Sequence, residues 1–212
     1  PELLEWLCRD FQRHGWQIKP LLRTILLSHT YRQTSRPADS RQARLADPDN
    51  RLLWRMSLRR LESESIRDSL LAVGGQLDSS LGGPPVPQQA LPDGRIKIPL
   101  EKLKRPFDHR RRSVYLVTRR GYSLTLLDVF DQPAILTTCS QRQTSAVPLQ
   151  SLAMINGPFV YEQATVLAGR AVTTAGEDVG RLIETLFRRA LCREPDPRER
   201  TLCRQTLAAD IE

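Results

Sequence analysis

The alternation of apolar and polar positions divides the chain into two helical stretches around a middle that lacks a helical period. Leu3, Leu4, Leu7 and Phe11 form one stripe, stopped at Gly15. Ile18, Leu21, Leu22, Ile25 and Leu26 form the next, with Pro20 near its start, so residues 1–31 read as a helical hairpin. His29 continues the second stripe one turn further. A polar linker at 32–46 leads to Asp47-Pro-Asp-Asn50, a turn and helix-start signal. Beyond it Trp54, Leu58, Leu61, Ser65, Ile66, Ala72 and Val73 share one arc of a helical wheel, which predicts a long helix ending at Gly74-Gly75. Arg60, Glu64 and Arg67 fall on the opposite side. Glu62 lies inside the apolar arc, where an unpaired carboxylate is costly. Arg55, Arg59 and Glu62 are therefore expected to form a structural ion pair.

Residues 76–112 are rich in Gly, Pro and charge and read as an extended excursion, with a short hairpin at Asp93-Gly94. Ser113-Val-Tyr-Leu-Val-Thr118 predicts a strand, and Leu124–Phe130 a short helix. After Pro133 a polar segment approaches a helix at Val147–Ile155, which Asn156-Gly-Pro158 breaks before another begins. Val179, Leu182, Ile183, Leu186, Phe187, Ala190 and Leu191 keep helical spacing behind an Asp178 cap. Asp196-Pro-Arg-Glu199 then supplies an N-cap, a Pro at the first helical position and a Glu two residues on. The fold class is mainly α: a multi-helix globular domain with a long Gly/Pro-rich excursion and a minor β element near 113–118. Residues 1–75 are helical, 76–145 loop-rich with a short strand, and 146–212 helical, within a single domain over 1–212.

The apolar and charged fractions are those of a folded globular chain, and 212 residues suffice for a substantial core. No run of 18 apolar residues exists, so no membrane-spanning helix is expected. The chain opens at Pro1 directly into a helix pattern and reads as a fragment of a longer protein. The net charge of +8 is uneven: residues 95–120 hold ten basic and two acidic groups. Lys102, Lys104, Arg105, Arg110, Arg111, Arg112, Arg119 and Arg120 there, with Phe107, Tyr115 and Tyr122 between them, are the candidate surface for an anionic polymer. A solvated basic loop is the plain alternative.

Cys8, Cys139, Cys192 and Cys203 have no metal or haem spacing. The spacing leaves open a Cys192–Cys203 disulfide or four buried thiols. Other chemistry is sparse. Glu62 with its arginines, His29 and Asp131 are the catalytic candidates, of which a buried ion pair, a core histidine and a helix-end cap are the structural counterparts. Asp128 flanks Phe130 in the same way as Asp131. Thr137, Thr138, Ser140, Arg142 and Thr144 lead into a helix start and suit either an anion or their own cap. No metal site is expected, no cofactor is assigned to this chain, and no phosphate loop, dinucleotide fingerprint or serine-hydrolase elbow occurs.

An ordered set of short motifs carries a family resemblance. It runs Pro1-Glu-Leu-Leu-Glu-Trp-Leu7, Gly15-Trp16 with Lys19, Leu27-Ser-His-Thr-Tyr-Arg-Gln33, Asp47-Pro-Asp-Asn-Arg-Leu-Leu-Trp-Arg55 and Arg59-Arg-Leu-Glu-Ser-Glu-Ser-Ile-Arg-Asp68. It continues through Leu81-Gly-Gly-Pro84, Arg112-Ser-Val-Tyr115, Phe130-Asp-Gln-Pro133, Val147-Pro-Leu-Gln150, Asn156-Gly-Pro-Phe159 and Leu186–Pro195. This resembles the domain-of-unknown-function family numbered 1553, abundant in planctomycetes. Leu191-Cys-Arg-Glu-Pro195 departs from the family's Leu-Gly-Arg-Pro ending. The resemblance implies an extracytoplasmic module, periplasmic or at the cell surface, in an exported multidomain protein. Its partners would be other domains of the same polypeptide, including a cytochrome-c-like one, and it brings no catalytic residue. The leading reading is a non-catalytic interaction or scaffold module that contacts an anionic polysaccharide or a partner domain. A hydrolase or redox-associated enzyme domain with a cleft of Glu62, His29, Asp131 and arginines is the alternative, and nucleic-acid binding comes third.

Overall fold

In the computed structural model, residues 2–120, 123–134, 139, 142 and 144–209 are described. They are mainly α, with a single two-stranded sheet among them. The chain divides into two compact units, Pro1–Arg60 and Leu61–Glu212.

The first unit opens with the expected hairpin, α1 (Glu2–Arg13) and α2 (Ile18–Leu27). Glu2 and Glu5 sit in the first turn of α1 and Arg13 in its last, complementing the helix dipole. Phe11 and Trp16 meet edge to face at 5.4 Å across the turn. A short helix, α3 (Arg41–Ala46), follows. The long helix expected from residue 51 does not form: 51–62 is irregular. Asp47 and Asn50, read as a helix start, instead capture the backbone. The Asp47 carboxylate accepts from the N–H of Arg51 (2.9 Å) and Leu52 (2.7 Å), and its carbonyl accepts from the Trp54 indole (2.8 Å). Asn50, in the left-handed region, donates to the Arg55 carbonyl (2.9 Å). Amides spoken for in this way are unavailable to a helix.

Helix α4 (Ser63–Gly74) opens the second unit and is all that remains of the long one. Its buried positions are Ser63, Arg67, Leu71 and Gly74, a stripe at helical spacing that includes Arg67, which the wheel places on the polar side. The helix ends on Gly75 in the left-handed conformation (φ 71°), where the Arg170 side chain occupies the space a Cβ would need.

The excursion is irregular but tied. Strands β1 (Gln89–Ala90) and β2 (Ile96–Lys97) pair antiparallel, and the hairpin at Asp93-Gly94 is present, closed by the Arg95 carbonyl accepting from Leu91 at 2.8 Å. The strand expected at 113–118 is instead a 3₁₀ turn at Ser113–Tyr115 followed by one bridge, Val86 to Leu116. The cause is Asp68, whose carboxylate accepts from the Ser113 N–H (2.7 Å) and hydroxyl (2.6 Å) and so holds the backbone in the turn. Val86, Leu116 and Leu127 form the buried cluster beneath, with Ile98, Leu103, Tyr115 and Leu124 packed on it.

The remaining helices fall where the sequence places them: α5 (Thr125–Val129), α6 (Pro148–Asn156), α7 (Pro158–Ala175), α8 (Val179–Leu191) and α9 (Pro197–Ala209). Gly157, in extended backbone (ψ 123°), separates α6 from α7, and its N–H closes on the Ala153 carbonyl at 3.0 Å, so closely that a Cβ there would press on that oxygen. Asp178 caps α8 through the Arg181 N–H. Asp196 and Glu199 cap α9 reciprocally, each side chain accepting from the other's N–H at 2.8 and 2.9 Å. The cysteines follow neither expectation: Cys192 and Cys203 form no disulfide with each other, and Cys8, Cys139 and Cys192 are exposed with Cys203 half-buried.

Candidate functional site

Two buried guanidinium groups organise the centre of the second unit. Arg67 reaches from α4 to the carbonyls of Arg111 (3.0 Å) and His109 (2.5 Å) and to the Ser113 hydroxyl (3.1 Å). The Phe159 ring lies 5.6 Å from its guanidinium carbon. Burial pushes the Arg67 pKa down to about 10, with Asp68 at 3.6 Å acting the other way; the group remains cationic at neutral pH. Arg111, wholly buried, lies on the Tyr115 ring at 3.7 Å and donates to the carbonyls of Pro84 (2.8 Å) and Gly82. The Tyr115 hydroxyl accepts in turn from the Gly82 N–H. Five donors in a planar fork suit carbonyls fanned out by irregular backbone. These two side chains hold the 82–84 and 109–113 segments against α4.

Beside this scaffold a pocket of about 500 Å³ opens. Leu91, Ile96 and Ile98 of the hairpin segment line one part of it, and Leu124, Leu126 and Val129 of the α5 region another. Ala153 and the first turn of α7, Gly157–Val160, complete the apolar wall. The polar lining is Arg67, Arg95, Lys97, His109, Thr125 and Glu162; of these Arg95, Lys97, Thr125 and Glu162 are exposed, which sets them towards the mouth. His109 is half-buried, and its Nδ1 is buried without a hydrogen bond of ordinary geometry. Burial lowers its pKa, helped by Arg110 and Arg67 and opposed by Glu162 and the Pro106 carbonyl. The ring is therefore neutral at pH 7. A cavity of this size, largely apolar with a few convergent polar groups, has the character of a small-ligand site.

The residues singled out in the sequence fall in both units. His29 is exposed in the turn after α2, in the first unit, with Arg55 and Arg59. Arg55 stacks on Trp54 at 5.1 Å. Glu62 precedes α4 in the second unit and is mostly exposed; its ion pair is with Arg142 at 3.7 Å, and Arg142 binds Glu64 more closely, at 2.6 Å. Burial pushes Glu64 up, but Arg142 and Ser63 outweigh it and hold the carboxyl below its ordinary range. The Asp131 carboxylate accepts from the N–H (2.7 Å) and hydroxyl of Ser145 and from Gln150 (3.4 Å), fastening the start of α6. Asp128 is exposed on α5. Thr137, Thr138 and Ser140 lie outside the described residues, as does Tyr122.

The basic segment divides. Arg111 is interior, and Arg105 pairs with Asp108 at 3.0 Å. Arg110 lies over Phe107 at 4.8 Å, and Lys102 donates to Gln89 at 3.2 Å. Arg112 approaches Asp68 at 4.0 Å but is half exposed. Lys104, Arg119 and Arg120 are exposed. The pocket was not anticipated; the readable trace of it was Leu91, Ile96 and Ile98, apolar positions around a turn in a stretch otherwise polar. Among the described residues no group of three or more His, Cys, Asp or Glu is arranged to hold a metal, and no helix is long and apolar enough to cross a membrane.

A family model described as "Protein of unknown function (DUF1553)" matches residues 1–207. No curated protein and no solved structure matches the chain.

Proposed function

We propose that the chain, which belongs to the DUF1553 family, is a non-catalytic binding module whose recognition site is the apolar pocket of its second unit. The pocket carries this reading: about 500 Å³ walled by aliphatic side chains and Phe159, with charged groups towards its mouth. Such a wall favours a ligand or inserted side chain that leaves water. The module would work outside the cytoplasm, in the periplasm or at the cell surface. It would serve other domains of the same exported polypeptide, a cytochrome-c-like domain among them; the family resemblance supports that setting.

The test is titration with the fluorophore anilinonaphthalene sulfonate, comparing the wild type with Ala153→Phe, which fills the cavity. Saturable one-site fluorescence, lost in a variant with unchanged circular dichroism and melting temperature, is the expected outcome. Fluorescence that does not saturate, or that is the same in a folded variant, removes the pocket from the function.

A second reading, contact with an anionic polysaccharide, rests on the cations left exposed: Lys104, Arg112, Arg119 and Arg120. Binding to alginate that weakens steeply with salt and is lost when Lys104, Arg119 and Arg120 become Gln would support it. Binding unchanged in that variant would dismiss it.

A further inference from the structure

The charges around the pocket are unbalanced. Arg67, Arg95 and Lys97 line it against one carboxylate, Glu162. Arg95 is committed to Asp93 within its own turn. Lys97 is exposed and makes no ion pair among the described residues. Arg67 spends its hydrogen bonds on neutral acceptors, and its nearest carboxylate oxygen is 3.6 Å away. That carboxylate, Asp68, is shared with Arg112 at 4.0 Å, so two cations stand there against a single acid.

The backbone adds to this. Helix α7, 18 residues long, begins in the pocket wall. Its N-cap is Gly157, which has no side chain to offer, and Pro158 has no N–H. The N–H groups of Phe159 and Val160 find no acceptor among the described residues. The positive end of the helix therefore faces a cavity whose lining supplies little to neutralise it. The apolar walls, meanwhile, reject a ligand that is polar throughout.

One chemistry meets both conditions. We infer that the pocket takes an amphipathic anion: an aliphatic chain or aromatic ring seated on the apolar wall, carrying a carboxylate towards Lys97 and the start of α7. This rests on the binding-module reading and names the ligand class of the same site.

Isothermal titration of the full chain at pH 7 with octanoate and with octanol tests it, since the two share an apolar tail and differ in charge. Octanoate is expected to bind about tenfold more tightly, the effect of one charge-assisted contact in a partly desolvated site. Lys97→Glu should erase that preference while octanol affinity stays within threefold. Equal affinities in the wild type, or a preference that survives Lys97→Glu, overturn the carboxylate inference and leave the binding-module reading standing. If neither ligand binds but the fluorophore still saturates, the carboxylate inference also falls. Failure of all three ligands sinks both.

Discussion

Arg67→Met should cost the second unit about 3 kcal/mol. The substitution keeps much of the side-chain length and removes the fork that holds three acceptors from residues 109–113. Two carbonyls and a hydroxyl then lose their donor, at roughly 1–3 kcal/mol each when buried. The Phe159 contact removes about another 1. Against this stands relief of burial. The fall of the Arg67 pKa to about 10 corresponds to roughly 3 kcal/mol of penalty on the buried cation, recovered when the charge is deleted. Orphaned acceptors win because there are three of them and no water replaces the guanidinium. The assay is urea unfolding followed by circular dichroism, with Arg67→Lys beside it. A lysine keeps the charge and its burial cost but cannot span both carbonyls, so it should do no better than methionine. For a unit of this size, about 3 kcal/mol corresponds to a fall in melting temperature of roughly 6–12 °C. A loss below about 1 kcal/mol with an unchanged denaturant slope, or a lysine variant as stable as wild type, would refute the reasoning.

Gly75→Ala should destabilise by about 1–3 kcal/mol, because an alanine is strained at φ 71° and its Cβ would displace the Arg170 guanidinium from the Gly74 carbonyl. Its effect and that of Arg170→Met should be less than additive, and strict additivity in chemical unfolding would contradict the shared contact. Asp47→Ala frees the amides of Arg51 and Leu52 and should speed their hydrogen exchange while leaving the second unit's melting unchanged; unaltered exchange would show that the carboxylate does not hold that loop. For His109 the folded pKa lies below the unfolded one, so the unfolded chain takes up the proton first and stability falls as pH drops through about 6.5. His109→Gln should flatten that limb, and a curve of the same slope would assign it elsewhere. Glu199 is held down to about 2 by Arg193 and the Asp196 amide, so what it adds to α9 is present above about 4.5 and disappears towards pH 2. Glu199→Gln should make α9 helicity independent of pH over that window.

Sequence pattern carried furthest where capping and periodicity agree. Helices α7 to α9 were legible because their ends are written locally, in Gly157-Pro158, Asp178 and the Asp196–Glu199 box. The long helix failed for the opposite reason: Asp47 and Asn50 carry the same signal whether they start a helix or knot a loop, and the choice depends on where Trp54 packs. An arginine on a helical wheel reads as polar, so the pattern puts Arg67 in solvent, whereas its acceptors lie 42 to 46 residues away. The same blindness affected Arg110, Arg111 and Arg112, which stand side by side in the chain yet meet a ring, the interior and water. The pocket draws its lining from five separate stretches of chain, at 67, 91–100, 109, 124–129 and 153–162, a convergence that no local pattern encodes.

That separation of Arg67 from its acceptors also has a consequence in time. A ribosome makes α4 before it makes the carbonyls that receive its buried cation, and Arg170, which caps its end, comes 96 residues after Gly74. At roughly 5–20 residues per second, α4 waits several seconds with its guanidinium hydrated and its inner face uncovered. The second unit therefore cannot be assembled from its start as it emerges. Nascent chains halted before residue 113 should leave α4 open to protease, and protection should arrive in one step once α7 has cleared the exit tunnel.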